Sequence, residues 1–224
     1  MNLFSTVQNI AFKKSREIKI FYAIFYVVGV LGLSFPESRP LFIRLVPFAL
    51  ILGFVGVLLF HEAKWDINTL IVFVSVFTAG FFIESIGVTT GFIFGEYTYG
   101  VTLGFQIFET PVIIGMNWLF LVYVTSSLTE KISSGKFISL LLPPVLMVIY
   151  DLVLEQVAPV LGMWNWKGDS VPIQNYIAWF VIALLFVLVF RLFNIKTSNK
   201  IAPLIFILQF LFFMALFILN ISFS

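Results

Sequence analysis

Residues 201–224 read IAPLIFILQFLFFMALFILNISFS, and this stretch contains no charged side chain. A helix that crosses the hydrocarbon core of a bilayer needs about 20 consecutive residues that are mostly apolar. The rest of the 224-residue chain has the same character, because 61% of it is hydrophobic and only 11% is charged. Soluble domains carry roughly a quarter charged residues. The sequence therefore predicts an integral membrane protein.

Seven apolar segments are long enough to form membrane-spanning helices, and together they predict one all-α transmembrane domain over residues 1–224. The candidate spans are 18–35, 41–60, 67–86, 106–128, 137–155, 175–193 and 201–222. Between the third and fourth spans, residues 85–108 are apolar but repeatedly interrupted by glycine. This composition predicts a broken or re-entrant segment, which a membrane tolerates only where the backbone is buried in protein or lines a cavity.

The distribution of basic residues predicts how the spans are oriented. Of the 13 Lys and Arg residues, only Arg39, Arg44 and Lys167 fall on the side opposite the N-terminal segment. Loops rich in Lys and Arg remain in the cytoplasm. We therefore expect a multi-pass protein of the cell inner membrane, with a cytoplasmic N-terminus and an external C-terminus.

Composition also excludes several classes of function. The chain has no Cys, so thiolate metal sites, iron–sulfur clusters and cysteine nucleophiles are excluded. With His61 as its single histidine it cannot build a histidine-rich di-iron centre, and we expect His61 to lie in a solvated loop. A net charge of +2 gives no indication of nucleic acid binding. No metal or cofactor is predicted, and the last span has no Lys for a retinal Schiff base.

Several acidic residues fall outside the basic loops, mostly on the side opposite the N-terminus. They are Glu84, Glu96, Glu109, Asp151, Glu155 and Asp169. Carboxylates inside a membrane are costly, and they generally mark functional sites. Glu96 and Asp169 are flanked by loop-like sequence, so we expect them to reach interfacial water. Glu84, Asp151 and Glu155 lie inside or at the ends of long apolar runs, which favours a functional role.

Asp151 and Glu155 are four residues apart, which places them on one face of a helix with Cβ atoms about 6 Å apart. Two carboxyl groups this close in an apolar environment do not both ionise readily, so one is expected to keep its proton while the other is anionic. This is the arrangement of a general acid beside a general base. Neutralisation of the pair by Arg44 or Lys167 is the alternative.

Aromatic residues cluster on the same side of the predicted bundle. Tyr97 and Tyr99 follow the glycine-rich stretch, Trp164 and Trp166 follow Glu155, and Trp179 opens the sixth span. Aromatic faces stabilise cations, although Trp and Tyr are also common in simple interfacial belts. Trp118 lies inside the fourth span beside Asn117, where it favours packing or a pocket wall.

Two segments of the chain resemble the signatures of the membrane carotenoid hydratases, the γ-carotene/lycopene 1′,2′-hydratase and bisanhydrobacterioruberin hydratase type. The first is ESIGVTTGFIFGEYTYGVTLG at residues 84–104, followed by Pro111 and Trp118. The second comprises Asp151, Glu155, Pro159, Gly162, Trp164, Trp166, Pro172, Asn175 and Trp179. The likeness covers about residues 84–179.

The resemblance implies an enzyme without a cofactor that adds water to the terminal C1′=C2′ double bond of an acyclic carotenoid end. It implies lycopene, γ-carotene or a related polyene as substrate, taken from the bilayer, and a possible association with other carotenoid enzymes. Glu84, Asp151 and Glu155 would be catalytic, with Asn175 positioned to orient water. The remaining substrate-binding residues would be Tyr97, Tyr99, Trp118, Trp164, Trp166 and Trp179.

Two other functions fit part of the pattern. A membrane enzyme similar to lycopene cyclase protonates the same end group, but an internal double bond then captures the cation. A transporter or binding protein would also use broken helices and intramembrane acids. The absence of an inverted repeat in the sequence argues against transport.

Overall fold

The computed structural model describes residues 3–132, 135–168 and 170–219, so Asp169 lies outside the described residues. These ranges contain eight helices. They are α1 (Leu3–Lys13), α2 (Ser15–Ser34), α3 (Arg39–Leu59), α4 (Ile67–Thr90), α5 (Ile113–Ile132), α6 (Lys136–Leu154), α7 (Ile173–Leu192) and α8 (Ala202–Ile218). Four short strands accompany them: β1 (Tyr97–Tyr99), β2 (Gln106–Ile107), β3 (Thr110–Pro111) and β4 (Trp164–Trp166).

Helix α5 is the central element of the bundle. It packs against α3, α4, α6, α7 and α8. Leu121, Val122, Val124 and Thr125 in its middle are completely buried. Because neighbouring helices rather than lipid surround α5, it accommodates polar residues such as Ser127 that would be unfavourable on a lipid-facing surface.

Five helices of the described chain, α2, α3, α4, α6 and α7, are long and apolar enough to cross a membrane. They coincide with five of the seven predicted spans. Their outer surfaces expose large apolar side chains such as Phe48, Val74 and Leu185, as expected where a helix faces lipid. Helices α5 and α8 occupy the positions of the other two predicted spans but are not in this group. The count of seven spans therefore stays a prediction.

The glycine-rich region differs in detail from the expectation. Helix α4 continues to Thr90 and ends at Gly91, whose φ of +64° is the left-handed conformation that commonly closes helices. The prediction that the fourth span begins at residue 106 is wrong, because β2 and β3 pair there as a hairpin. Phe108 and Glu109 between them both have positive φ, as a type I′ turn requires. Whether the region enters the membrane stays a prediction.

Strands β1 and β4 form a two-stranded antiparallel sheet, an element that the all-α prediction did not include. Tyr97 lies opposite Trp166, and Tyr99 lies opposite Trp164. Side chains alternate between the faces of a strand, so the central residues of both strands are exposed while these four aromatic residues point to the other face, toward the interior. We call this two-stranded sheet with its four inward-facing aromatic rings the aromatic lid.

Side-chain caps fix the ends of two helices. Asp66 Oδ1 accepts a hydrogen bond of 2.7 Å from the backbone N–H of Thr69 at the start of α4. Asn199 Oδ1 accepts bonds of 3.0 and 2.9 Å from the N–H groups of Ile201 and Ala202 at the start of α8. Such caps satisfy donors that a helix cannot pair internally.

Gly115 provides a test of the packing between α4 and α5. A Cβ atom at this position would lie 2.5 Å from the carbonyl oxygen of Phe77 and 3.0 Å from Cβ of Phe81. We expect Gly115→Ala to push the helices apart and to lower the free energy of unfolding by about 1–3 kcal/mol, a typical cost of overpacking. Denaturant unfolding in detergent, followed by circular dichroism, measures the change.

Gly53→Ala in α3 is the matched control. The atoms nearest to its added Cβ lie 3.8 Å away, in ordinary contact. Replacing a helix-interior glycine by alanine stabilises by up to about 1 kcal/mol where space allows. Equal destabilisation in both variants would contradict the proposed close approach at Gly115.

Candidate active site

The three carboxyl groups that the sequence selects lie around one buried cavity. Glu84 comes from α4, Asp151 from α6, and Glu155 directly follows α6; their exposed fractions are 3%, 0% and 5%. All seven predicted substrate-binding residues line the same cavity. They are Tyr97, Tyr99, Trp118, Trp164, Trp166, Asn175 and Trp179. The fold thus brings together ten predicted site residues from six separate helices and strands and the turn after α6.

Glu84 accepts three side-chain hydrogen bonds. The hydroxyl groups of Tyr97 and Tyr99 donate to Oε2 at 2.5 and 3.0 Å. The indole N–H of Trp118 donates to Oε1 at 3.0 Å. The Trp118 ring also packs on Trp179, with 4.5 Å between the centroids. An indole nitrogen can only donate, so this set of partners suits a carboxylate.

Glu155 is held by the aromatic lid. The indole N–H groups of Trp164 and Trp166 both donate to Oε2, at 3.0 and 2.7 Å. The second oxygen, Oε1, has one long contact of 3.5 Å with Nδ2 of Asn175. Glu155 therefore has one well-satisfied oxygen and one oxygen with room for another partner.

Asp151 has the least satisfied carboxyl group of the three. Asn175 Nδ2 donates to Oδ2 at 2.8 Å. The other oxygen, Oδ1, has no hydrogen-bond partner within the described residues, although the side chain is fully buried. Leaving a buried polar atom unpaired costs about 1–3 kcal/mol, and more if it is charged, so this environment favours an uncharged, protonated Asp151 or a bound hydrogen-bonding molecule beside Oδ1.

The helical turn after Asp151 explains why it lies beside Glu155. The N–H of Glu155 donates to the carbonyl oxygen of Asp151 at 2.8 Å, which continues the helical geometry by one turn. Side chains four residues apart then share a face, and Asn175 from α7 contacts both carboxyl groups.

The cavity among the acids is small, with a volume of about 30 Å³. A cavity of about 10–15 Å³ on this measure holds one water molecule. The site therefore has room for water beside the unpaired oxygen of Asp151, whereas a larger ligand can enter only if side chains move.

Three residues that line the cavity were not selected from the sequence: Ile114, Asn117 and Leu154. Asn117 is a polar residue in an otherwise apolar stretch, and that signal identifies it in retrospect. Ile114 and Leu154 have no comparable signal, because an apolar cavity wall and an apolar helix contact use the same residues.

The other acids lie outside the cavity. Glu96 and Lys167 form an exposed ion pair of 2.5 Å, so Lys167 pairs with Glu96 rather than with the buried acids. Arg44 is exposed on α3, and Glu109 is exposed in the β2–β3 turn. These placements do not support neutralisation of Asp151 and Glu155 by Lys167 or Arg44.

The expectation that His61 is solvated is wrong, although Glu62, Lys64 and Asp66 of the same loop are exposed. The side chain is 2% exposed, and Nδ1 lies 2.7 Å from the hydroxyl of Tyr123. Gln8 of α1 covers the loop by donating to the carbonyl oxygen of His61. Burial lowers the pKa of the His61 imidazole below its usual value, while the charges of Asp66 and Glu62 act in the opposite direction.

Removing the hydroxyl of Tyr97 tests whether Glu84 is charged. A hydrogen bond to a charged group contributes about 1.5–3 kcal/mol, whereas a neutral one contributes about 0.5–1.5 kcal/mol. We expect Tyr97→Phe to lower the free energy of unfolding by about 1.5–3 kcal/mol, the range for a bond to a charged group. The matched control is Tyr22→Phe, which removes a neutral bond of 2.8 Å to the carbonyl oxygen of Leu52. Unfolding in detergent gives both values, and a cost for Tyr97→Phe no greater than for Tyr22→Phe would contradict a charged Glu84.

Comparisons with known proteins identify the family to which the chain belongs. No solved structure matches the chain significantly. The bisanhydrobacterioruberin hydratase of Haloarcula japonica is 30% identical over 121 residues, which cover 48% of this chain and 40% of the relative. The matched region thus spans two fifths of that relative's length. A family model described as carotenoid biosynthesis protein matches residues 45–224, which include every predicted site residue. This chain belongs to the carotenoid biosynthesis protein family.

Proposed function

We propose that this protein is a carotenoid hydratase that adds water to the terminal C1′=C2′ double bond of an acyclic carotenoid end and forms a tertiary alcohol. The observation that carries the proposal is the group of three buried carboxyls around a water-sized cavity. Membership of a carotenoid biosynthesis family and the similarity to a protein named as a hydratase support it. Lycopene and γ-carotene have the required end group.

The chemistry needs one acid, one base and stabilisation of a cation. A proton added to the terminal double bond gives a tertiary carbocation, which then forms a C–O bond with water. The oxygen of the bound water loses a proton to a base, so the net change is the addition of one water molecule. Positioned acids and bases contribute about 10²–10⁴-fold to such steps.

The three carboxyl groups differ in how many hydrogen-bond partners their oxygens have. We assign Asp151 as the acid, because its Oδ1 is unpaired and free to deliver a proton. Glu155 is the base, because its Oε1 is the less satisfied oxygen and lies one helical turn from Asp151. After each turnover, a proton that moves from Glu155 to Asp151 restores the pair.

Glu84 then has an electrostatic role. Its three donors, Tyr97, Tyr99 and Trp118, favour a permanent negative charge. A fixed anion beside the position where positive charge develops stabilises the transition state. The rings of the aromatic lid add cation–π stabilisation.

The fold is consistent with a site at the external side of the membrane. Glu84 lies toward the end of α4, Glu155 follows the end of α6, and Asn175 lies at the start of α7. All three positions are at the end of the bundle opposite α1 and the basic loops. We propose that this end faces outward in the inner membrane and that the carotenoid enters from the bilayer.

Amide variants of the three acids test the site. We expect Asp151→Asn, Glu155→Gln and Glu84→Gln each to lower conversion of lycopene by about 100-fold or more, because each removes a charge or proton that the reaction uses. Glu96→Gln is the control, since Glu96 is exposed and pairs only with Lys167 on the surface. Conversion is measured by mass spectrometry in water enriched in heavy oxygen, and wild-type conversion in all three variants would contradict the site.

The same assay separates the alternatives. A hydratase yields a product that is heavier by one water and carries the heavy oxygen. An enzyme similar to lycopene cyclase yields an unlabelled isomer of unchanged mass, and a transporter yields no converted product. An unlabelled isomer, or no converted product, from the wild-type protein would contradict the proposed function.

Infrared spectroscopy tests which carboxyl holds the proton. We expect a carbonyl stretching band from a protonated carboxyl group in the resting protein, because Asp151 Oδ1 has no other partner in the described chain. The band should be absent in Asp151→Asn and unchanged in Glu84→Gln. Loss of the band in Glu84→Gln alone would reverse the assignment.

A further inference from the structure

A second cavity lies between α2, α3 and α8, on the side of the bundle away from α4 and α7. Its volume is about 200 Å³, and its lining is almost entirely apolar. An engineered apolar cavity of about 150 Å³ is large enough to bind benzene. Six aromatic rings contribute to the lining together with aliphatic side chains: Phe25, Tyr26, Phe42, Phe48, Phe212 and Phe213. We call it the aromatic cleft.

The aromatic cleft runs from the lipid-facing surface into the protein. At its mouth, Val28 and Phe48 are 46% and 67% exposed. At its inner end, Leu33, Met163 and Gln209 are no more than 3% exposed. A molecule dissolved in the bilayer can therefore enter at the mouth and extend toward the protein interior.

The inner end of the cleft is connected to the acid site through residues that are neighbours in the chain. Met163 lines the cleft and directly precedes Trp164, which donates to Glu155. Phe213 also lines the cleft and packs edge-on against Tyr150, which directly precedes Asp151. Met163 and Trp164, which are adjacent in sequence, thus line the two cavities. Met is unbranched and flexible, so Met163 is the part of this wall that moves most readily.

Glycines in α2 allow the aromatic rings to lie close to the helix backbone. A Cβ atom at Gly32 would overlap the ring of Phe42, and one at Gly29 would lie 3.0 Å from the ring of Phe212. Both rings line the cleft. The absence of a side chain at these two positions therefore sets the width of the cleft.

We propose that the aromatic cleft binds the conjugated hydrocarbon chain of the substrate while the end group reaches the acids past Met163. This inference rests on the proposed function and adds to it the place in the fold where the hydrocarbon chain of the substrate binds. Its lining contains no Lys, Arg, Asp or Glu to bind a lipid headgroup, and its rings offer flat faces to a conjugated chain.

Ala49→Phe, which fills the cleft from α3, tests the proposal. Wild-type and variant proteins are purified from a host that accumulates lycopene, and bound polyene is measured by its visible absorbance. We expect Ala49→Phe to reduce both bound lycopene and conversion by about tenfold, equivalent to the loss of one buried apolar contact. Val74→Phe on α4 adds the same ring at a lipid-facing position that is 65% exposed and should change neither.

Two further variants keep the test decisive. Leu45→Trp narrows the mouth at a position that is 42% exposed, so it should fold even if Ala49→Phe does not, and it should give the same losses. Asp151→Asn should abolish conversion but retain bound lycopene. Absence of conversion in the wild type contradicts the proposed function, whereas full lycopene binding in folded Ala49→Phe or Leu45→Trp overturns the cleft alone. Loss of a bound phospholipid instead of lycopene, measured by mass spectrometry, also overturns it.

Discussion

A carboxyl group inside an apolar helical bundle is stable only if the protein replaces the hydration that it loses. Tyrosine hydroxyls, indole N–H groups and one amide provide that replacement for Glu84, Glu155 and Asp151. Much of the architecture around the site supplies these donors. Helix α5 carries Trp118, α7 carries Asn175, and the aromatic lid carries the remainder. The unusual number of aromatic residues in this region therefore has a polar function as well as an apolar one.

Donors are distributed unequally among the three acids, and the differences have chemical meaning. A carboxyl group with a full set of donors keeps a fixed charge, while one with an unpaired oxygen can exchange a proton. Glu84 is at one extreme, with three donors, and Asp151 is at the other. Three chemically similar side chains can thus differ in how readily each gives up or accepts a proton.

The sequence predicted which buried acidic and aromatic residues lie together better than it predicted the backbone around them. Apolar length predicted the five helices that are long enough to cross a membrane, and the cost of burying charge selected Glu84, Asp151 and Glu155, because both follow from the order of apolar and charged residues. The aromatic lid was not predicted, since strands of three residues give too little alternation to be distinguished from a loop. The burial of His61 was also missed, because its ring packs against Phe73 of α4 and Tyr123 of α5, and Tyr123 is distant in the sequence.

The pairing of β1 with β4 connects the residues that donate to Glu84 with the residues that donate to Glu155. Tyr97 and Tyr99 on one strand hold Glu84, and Trp164 and Trp166 on the other hold Glu155. A displacement of the aromatic lid breaks hydrogen bonds to both carboxyl groups together. Opening the lid part of the way therefore loses most of these bonds while it exposes little of the cavity. The aromatic lid consequently stays closed over the three carboxyl groups and shields them from bulk solvent until a bound molecule replaces the lost contacts.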